Sequence, residues 1–253
     1  MSPRALWVLA LCVSGAASAT EAPSDRATLA DLEAQADYAF YTADGARAAR
    51  IVADAAGLAS ATTIAARYQY AHAAFRWLQL ATVNHDSAGV ERAGRACQGT
   101  LEPIVEADPR AAEAQALLAA CAGYVALGGG LRGRALALRI DAWLEAAAAV
   151  APANPRVRLT RGMLLWFRAA PPPDRVARAR IDFEAAATAL EALHPVVDGE
   201  PGWGGADAWL FAGHAAEAAG DGAAARSAYE RALLSAPEFA AARRALDSLT
   251  ARR

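Results

Sequence analysis

The sequence predicts an all-α fold built from stacked pairs of helices. Hydrophobic residues make up 55% of the 253 residues but aromatic residues only 7%, and much of the difference is Ala, the strongest helix former. No stretch alternates apolar and polar residues with period two over the length of a strand, so we expect no sheet. Large and small residues also recur at fixed helical spacings, which is typical of helix pairs that stack as repeats.

Gly, Pro and Asp residues divide the chain into eleven predicted helices. Pro lacks a backbone N–H and disfavours helical geometry in the preceding residue, so Pro109, Pro152 and Pro237 mark helix ends. The predicted helices cover 28–43, 45–57, 60–82, 87–107, 111–127, 133–150, 155–168, 174–193, 205–219, 222–235 and 238–251.

The amino terminus has the pattern of a secretory signal. Arg4 precedes a short apolar core at 5–13, which is too short to span a bilayer, and Ala17-Ser18-Ala19 supplies a small-x-small cleavage site. We therefore predict a signal peptide at 1–19, a flexible leader at 20–27 and a helical repeat domain at 28–253. The mature protein is expected in the periplasm or secreted.

The three cysteines have different predicted roles. Acylation of Cys12 as a lipoprotein is disfavoured because Leu11 is larger than the residue that such a processing site takes. In an exported chain Cys97 and Cys121 either form one disulfide or lie as two small buried residues on packed helices. We prefer the second interpretation; a bond would require the helix packing to bring their Cα atoms within about 7 Å.

The clearest repeat lies at 206–239. Its pattern of large and small positions consists of Trp209, Gly213, Ala225, Tyr229, Ala232 and Pro237. A small residue is needed where two helices cross closely, and a large one fills the space beside it. This spacing matches the signature of the tetratricopeptide repeat (TPR).

The resemblance to TPR proteins implies a right-handed α-solenoid of about five TPR-like helix pairs. Weaker versions of the pattern follow Gly123 and Gly162, and the Arg-rich last helix resembles the polar cap that a solenoid needs. The segments CAGY (121–124), ANPRVRLTRG (153–162) and PGWGGADAWL (201–210) also resemble a group of exported bacterial TPR proteins of unassigned role.

A solenoid of this kind has a concave groove lined by the first helix of each pair, and this groove is the predicted binding site. Aromatic and charged side chains on one inner surface suit capture of a peptide or protein. The predicted partner-binding residues are Tyr124, Arg156, Met163, Trp166, Asp207, Leu210, His214 and Glu217.

Two other aromatic segments are assigned to packing. Tyr68, His72, Phe75 and Arg76 fall on one helical face and are predicted to form a core stripe, with a second part of the binding surface as the alternative. Trp203 lies in a Gly-rich loop and is predicted to plug a gap between helices rather than to anchor a partner.

No catalytic, metal or nucleic-acid motif stands out. The four histidines lack the spacing of a zinc site, G-x-S-x-G is absent, and the net charge of −2 includes no basic block. We expect no enzyme, no cofactor, no nucleic-acid partner and no transmembrane segment, with association with the cell envelope left open.

The predicted function is a non-catalytic scaffold of the periplasm or envelope that binds a peptide or protein in its concave groove. The alternative is a small-molecule-binding accessory subunit of a solute transporter, which a deep pocket would favour. A hydrolase on an α-toroid is the third hypothesis, and it requires acids that converge in a cleft.

Overall fold

The computed structural model describes residues 23–167, 172–193 and 201–251, so the predicted signal peptide, Cys12 and His194 lie outside the described residues. The described residues form eleven α-helices and one 3₁₀ segment at Ala56–Ser60, and they contain no strand. The helices are α1 (Pro23–Tyr41), α2 (Gly45–Asp54), α3 (Ile64–Val83), α4 (Ser87–Ala107), α5 (Ala112–Ala126), α6 (Gly130–Val150), α7 (Pro155–Trp166), α8 (Pro173–Ala192), α9 (Gly205–Ala218), α10 (Gly222–Ser235) and α11 (Ala240–Ala251).

The first ten helices form five consecutive helical hairpins, which are α1/α2, α3/α4, α5/α6, α7/α8 and α9/α10. Each hairpin packs against the next. The predicted all-α class with stacked TPR-like pairs and a last, capping helix is confirmed. α11 packs against α10 and buries only Ala242 completely, which is what a polar cap requires.

Several helix boundaries differ from the prediction; for example, α2 ends at Asp54 rather than at 57, and α6 begins at Gly130 rather than at 133. α1 begins at Pro23, so the helix start expected at 28 is wrong. α3 begins at Ile64 rather than at 60, because the Thr63 hydroxyl accepts the backbone N–H of Ala66 at 3.3 Å and caps the helix there. The residues between α2 and α3 form the 3₁₀ segment instead.

The turns of three pairs share one design. The residue before the second helix is an Asp whose carboxylate accepts a backbone N–H of the first helical turn, and the residue before it has positive φ. The turn pairs are Ala43-Asp44, His85-Asp86 and Gly220-Asp221. This common turn fixes the same antiparallel reversal in the first, second and fifth pairs.

Contacts between glycine and an aromatic ring set the helix spacing in two pairs. A Cβ added to Gly213 would lie 2.3 Å from the ring of Tyr229, and one added to Gly162 would lie 2.5 Å from Phe183. These contacts join α9 to α10 and α7 to α8, as the repeat pattern predicts. Gly123 differs, because it faces Leu164 of the following pair at 3.0 Å.

A disulfide joins the second pair to the third. Cys97 on α4 and Cys121 on α5 are bonded, with Cα atoms 6.4 Å apart, and both are fully buried. The interpretation favoured from sequence, two unbonded buried residues, is therefore not what the structure contains. Whether the two cysteines can bond depends on the distance between their Cα atoms. That distance is set by the packing of α4 against α5, which residue spacing along the chain does not specify.

No helix in the described ranges is long and apolar enough to cross a bilayer.

Candidate functional site

The predicted groove residues fall into two groups. Tyr124, Arg156, Met163, Asp207 and Leu210 are buried by other parts of the chain. Trp166, His214 and Glu217 are partly exposed. Five of the eight predicted contacts therefore do not present their side chains at the surface in this conformation.

Arg76 explains why Asp207 is buried. Its guanidinium, fully buried on α3, donates from Nη1 and Nη2 to the two carboxylate oxygens of Asp207 on α9, at 2.7 and 3.0 Å. Its Nε donates to Asp37 of α1 at 2.6 Å. Three first helices of the repeats thus meet at a single buried cation, which holds the first, second and fifth pairs together.

Aromatic rings enclose this ion cluster. The Arg76 guanidinium lies 4.4 Å from the ring centroid of Phe40 and 5.8 Å from that of Trp203. The Tyr41 hydroxyl donates to Asp207 at 3.3 Å, and its ring lies 4.6 Å from that of Phe239, the residue just before α11. The end of α1 therefore packs against the last part of the repeat array.

The segment Pro201–Gly205 occupies the inner side of the repeats. The Trp203 ring stacks on His72 with centroids 5.0 Å apart, and its indole N–H donates to the Tyr68 hydroxyl at 3.2 Å. Arg156 donates to the backbone oxygens of Pro201 and Trp203. Trp203 is 3% exposed, so the predicted plug is what the structure shows.

The predicted core stripe on α3 is buried as expected, and it also forms the wall against which Trp203 packs. Tyr68, His72, Phe75 and Arg76 all have less than a tenth of their surface exposed. An aromatic residue, Trp203, and the Arg76 ion cluster thus fill the space beside α3 where a groove was expected.

Burial and neighbouring charges shift the pKa values of several groups in this region, among them Asp37, His72 and Arg76. Burial, opposed by the charge of Arg76, raises the pKa of Asp37 to about 7. Burial, together with the charges of Arg76 and Arg156, lowers the pKa of His72 well below its ordinary value. Burial alone would lower the pKa of Arg76, but the charges of Asp207 and Asp37 outweigh it and raise that pKa.

An open cleft of about 750 Å³ remains beside Trp203. We call it the α1 cleft; α1, the beginnings of α3 and α5, the end of α6 and the backbone of Pro201–Gly202 line it. Its polar side chains are Glu33, Asp37, Tyr68, Gln69, Arg110 and Glu113, and its larger apolar ones are Leu29, Ile64 and Val150.

The carboxylates of the α1 cleft are held in place by neighbours. Glu33 accepts the Gly202 N–H and the Gln69 Nε2, each at 2.7 Å. Glu113 accepts Asn154 Nδ2 at 2.8 Å and Arg156 Nη1 at 3.0 Å. These bonds orient both carboxylates before any ligand arrives.

A second, smaller pocket of about 390 Å³ lies between the third and fourth pairs. It brings together two of the predicted residues, Tyr124 and Met163, with Phe167 and Asp141 on its wall. Burial raises the pKa of Tyr124 to about 12, so its hydroxyl keeps its proton at neutral pH.

The three partly exposed predicted residues also cluster. The ring of Trp166 is stacked on that of His214 with centroids 6.4 Å apart, and the Tyr229 hydroxyl bonds both His214 Nδ1 at 2.9 Å and Glu217 at 2.8 Å. Burial lowers the pKa of His214, against the charge of Glu217. His214 is therefore a neutral ring at pH 7.

Sequence reasoning missed the roles of Arg76, Asp37, Glu33 and Glu113. One signal was present: Arg76 is a permanent charge in an otherwise apolar helical stripe, and a buried charge requires an opposite partner. The identity of that partner was not readable, because Asp207 is 131 residues away. Across the described part of the chain, no group of three His, Cys, Asp or Glu side chains is arranged to hold a metal ion.

A comparison of structures places this chain among TPR folds. The structure is similar to the crystal structure of a thermophilic TPR protein of Thermus thermophilus, with a TM-score of 0.52, 15% sequence identity, and coverage of 89% of this chain and 99% of that chain. This likeness shows a TPR-like fold. No family model and no curated protein matches the sequence.

Proposed function

We propose that this protein is a non-catalytic scaffold of the periplasm or cell envelope that binds a peptide or protein segment at the α1 cleft. The observation that carries the proposal is the cleft itself, which stays open between α1, α3 and α5 while Trp203 and the Arg76 cluster fill neighbouring space between helices. Stacked helix pairs commonly use such inner surfaces for binding.

The proposal revises the roles of the residues predicted from sequence. Arg156 and Asp207 act within the chain: Arg156 holds Pro201 and Trp203, and Asp207 holds Arg76. Neither residue lines the cleft; Arg156 acts on it only through Glu113 and Pro201, which do. The partly exposed Trp166, His214 and Glu217 stay predicted contacts on another part of the molecule.

Export agrees with two features of the chain. The signal-like amino terminus would carry it across a membrane, and the Cys97–Cys121 disulfide persists most readily in an oxidising compartment. Fractionation of expressing cells tests this part: we expect mature protein that begins at Thr20 in the envelope or periplasmic fraction. Full-length protein in the cytoplasm contradicts it.

A photo-crosslinking amino acid at Ala34 tests the scaffold role. Ala34 lies on the cleft wall and is exposed, so the probe replaces a small side chain without disturbing the core. We expect a discrete protein adduct in living cells. The same probe at Leu234, an 82% exposed residue of α10, is the control.

A second substitution separates binding in the cleft from chance proximity. Ile64→Arg places a large charged side chain at the cleft wall, where Ile64 is 52% exposed. We expect it to remove the Ala34 adduct without unfolding the protein. An adduct that persists, or that forms equally from Leu234, contradicts binding in the α1 cleft.

A small-molecule carrier is the second candidate, and the size of the cleft favours it. Ligand pockets commonly span about 300–1,000 Å³, a range that includes the α1 cleft. Native mass spectrometry of gently purified protein tests this role: a bound small molecule of constant mass supports it. Ligand-free protein together with a specific Ala34 adduct supports the scaffold instead.

A hydrolytic role would require carboxylates that act on a substrate in the cleft. Each cleft carboxylate is instead engaged by the chain itself: Asp37 by Arg76, Glu113 by Arg156, and Glu33 by Gln69 and a backbone N–H. Because the chain itself holds these three carboxylates, we propose that they contribute to ligand binding in the α1 cleft rather than to hydrolysis.

A further inference from the structure

We propose that the α1 cleft binds an organic cation, an ammonium or guanidinium group carried on an aliphatic stem such as an Arg or Lys side chain. This inference deepens the proposed function by naming the chemistry of the bound group. The inference rests on the proposed function in one respect only: that the bound cation is part of a partner protein or peptide.

Glu33 is the first observation. Both of its oxygens accept hydrogen bonds from neutral donors, Gly202 N–H on Oε1 and Gln69 Nε2 on Oε2. No Arg or His in the described part of the chain forms an ion pair with it. A carboxylate oriented on a cleft wall and lacking a cation of its own is a natural acceptor for a ligand that carries one.

Gln69 is the second and independent observation. Its side chain lines the cleft and is only 6% exposed, yet its Oε1 has no hydrogen-bond partner among the described residues. A buried acceptor without a donor destabilises the folded chain, because its lost hydrogen bonds to water are not replaced. An ammonium or guanidinium beside Glu33 would provide that donor, whereas an anion or a pure acceptor would leave Oε1 unsatisfied.

The balance of charge around the cleft points the same way. Glu33, Asp37 and Glu113 lie on its wall and Asp207 lies behind them, while the buried cations are Arg76 and Arg156. Both guanidiniums are already engaged, Arg76 with Asp37 and Asp207, and Arg156 with Glu113. Arg110 also lines the cleft but is exposed, so water screens its charge.

Asp37 lies on the same wall, and its pKa responds to burial and to the neighbouring charges. Burial raises its pKa to about 7, and the charges of Asp207 and Glu33 add to the rise. A bound cation would favour the ionised carboxylate of Asp37. Apolar Leu29, Ile64 and Val150 on the same walls would contact the stem of the ligand.

Calorimetric titration of the processed full chain with N-acetyl-arginine amide tests the proposal. The control ligand is N-acetyl-citrulline amide, which has nearly the same shape and carries no charge. Charge-assisted hydrogen bonds are markedly stronger than neutral ones, so we expect the arginine compound to bind at least about tenfold more tightly. Equal affinities, or no binding of either compound at millimolar concentration, overturn the proposal.

Glu33→Gln locates the site. This variant removes the charge and keeps the size of the side chain, and we expect it to weaken binding of N-acetyl-arginine amide about tenfold. The matched control is Glu238→Gln at an exposed carboxylate outside the cleft, which should bind as the unchanged protein does. If Glu33→Gln fails to fold, the comparison of N-acetyl-arginine amide with N-acetyl-citrulline amide on the original protein still tests the proposal.

Further ligands separate the possible sources of the cation. N-acetyl-lysine amide reports whether ammonium is accepted, and agmatine reports whether a free small molecule binds without a peptide backbone. Binding of the arginine compound together with a failed Ala34 crosslinking experiment retains the cation site and rejects the scaffold. A specific Ala34 adduct with no preference for arginine over citrulline retains the scaffold and rejects the cation site.

Discussion

Arg76 and Asp207 form a two-bond ion pair between the second and fifth helix pairs, with Arg76 Nη1 and Nη2 at 2.7 and 3.0 Å from the two carboxylate oxygens. In an extended solenoid each pair contacts only its neighbours. Here the Arg76 side chain joins non-neighbouring repeats, because it binds Asp37 of the first pair and Asp207 of the fifth. The α1 cleft lies next to this cluster, since Asp37, which accepts from Arg76, is one of its lining residues.

Loss of the Arg76 guanidinium should destabilise the protein strongly. Arg76→Met keeps much of the length of the side chain but leaves the carboxylates of Asp37 and Asp207 buried without a cation. Breaking a buried ion pair from one side costs about 3–5 kcal/mol. Urea unfolding measures the change.

Arg95→Met is the control for that experiment. Arg95 is 59% exposed and pairs with Glu91 one helical turn away. Surface pairs contribute about 0–1 kcal/mol, so this variant should unfold almost as the original does. Similar losses in the two variants would show that Arg76 does not carry the buried pairing described.

Gly213→Ala should destabilise the fifth helix pair. The added methyl group would lie 2.3 Å from the Tyr229 ring, so α9 and α10 must move apart. Overpacking of this kind costs about 1–3 kcal/mol. Thermal or urea unfolding followed by circular dichroism measures it.

Gly99→Ala is the matched substitution within a helix. An added Cβ at Gly99 on α4 meets no atom within 4 Å, and Ala is favoured over Gly in helices by about 0.8–1 kcal/mol. We therefore expect Gly99→Ala to stabilise the protein. Stabilisation by both substitutions would contradict the close contact between Gly213 and Tyr229.

Much of the fold was readable from such local contacts. The repeat spacing predicts that Gly213 lets the partner helix approach and that Tyr229 fills space on that helix; the two residues, 16 apart, contact each other in the structure. Trp203 was likewise recognisable as a plug, because a large aromatic residue in a Gly-rich loop before a repeat needs a place to pack.

The interior of the curved array was not readable in the same way. The angle between successive pairs decides whether inner side chains face solvent or one another, and local spacing does not encode it. Arg156 and Asp207 were therefore assigned to an open groove, although they bind Trp203 and Arg76. The pairing of Cys97 with Cys121 likewise depends on the packing angle between successive helix pairs, which the sequence does not specify.

Removal of the disulfide should weaken the junction between the second and third pairs. The bonded cysteines are 24 residues apart, and a bond that closes a loop of this length stabilises a protein by roughly 3 kcal/mol. We expect the double variant Cys97→Ala and Cys121→Ala to unfold at lower urea concentration. Reductant should lower the urea midpoint of the original protein by a similar amount and leave that of the variant unchanged. Equal midpoints for the original protein, the reduced protein and the variant would contradict a stabilising bond.

The stability of the protein should fall between about pH 3.8 and about pH 7 through Asp37. Its pKa is about 7 in the folded chain against 3.8 as the ordinary value, so the folded state binds a proton that the unfolded state has lost. This contribution is fully present below about pH 3.8 and is lost as the pH rises through about 7. Arg76, Asp207, Glu33, His72 and Tyr41 surround the carboxylate, and His72 acts in the opposite direction because its lowered pKa costs stability in acid.

Asp37→Asn isolates the contribution of Asp37 from that of His72. The amide resembles the protonated carboxyl group and does not titrate. We expect the free energy of unfolding of Asp37→Asn, measured relative to that of the original protein, to increase as the pH rises from 5 to 8. A constant difference across this range would mean that Asp37 does not take up a proton on folding.

A double-mutant cycle between Arg76 and Asp207 tests the curved, closed interior most directly. The free energies of unfolding of Arg76→Met, Asp207→Asn and the double variant are measured together with that of the original. Groups in contact within one buried network couple by about 0.5–3 kcal/mol, whereas distant sites add within about 0.3–0.5 kcal/mol. We predict a coupling energy above about 1.4 kcal/mol, a tenfold change in the unfolding equilibrium by the usual conversion; strictly additive losses would contradict the contact between the second and fifth pairs.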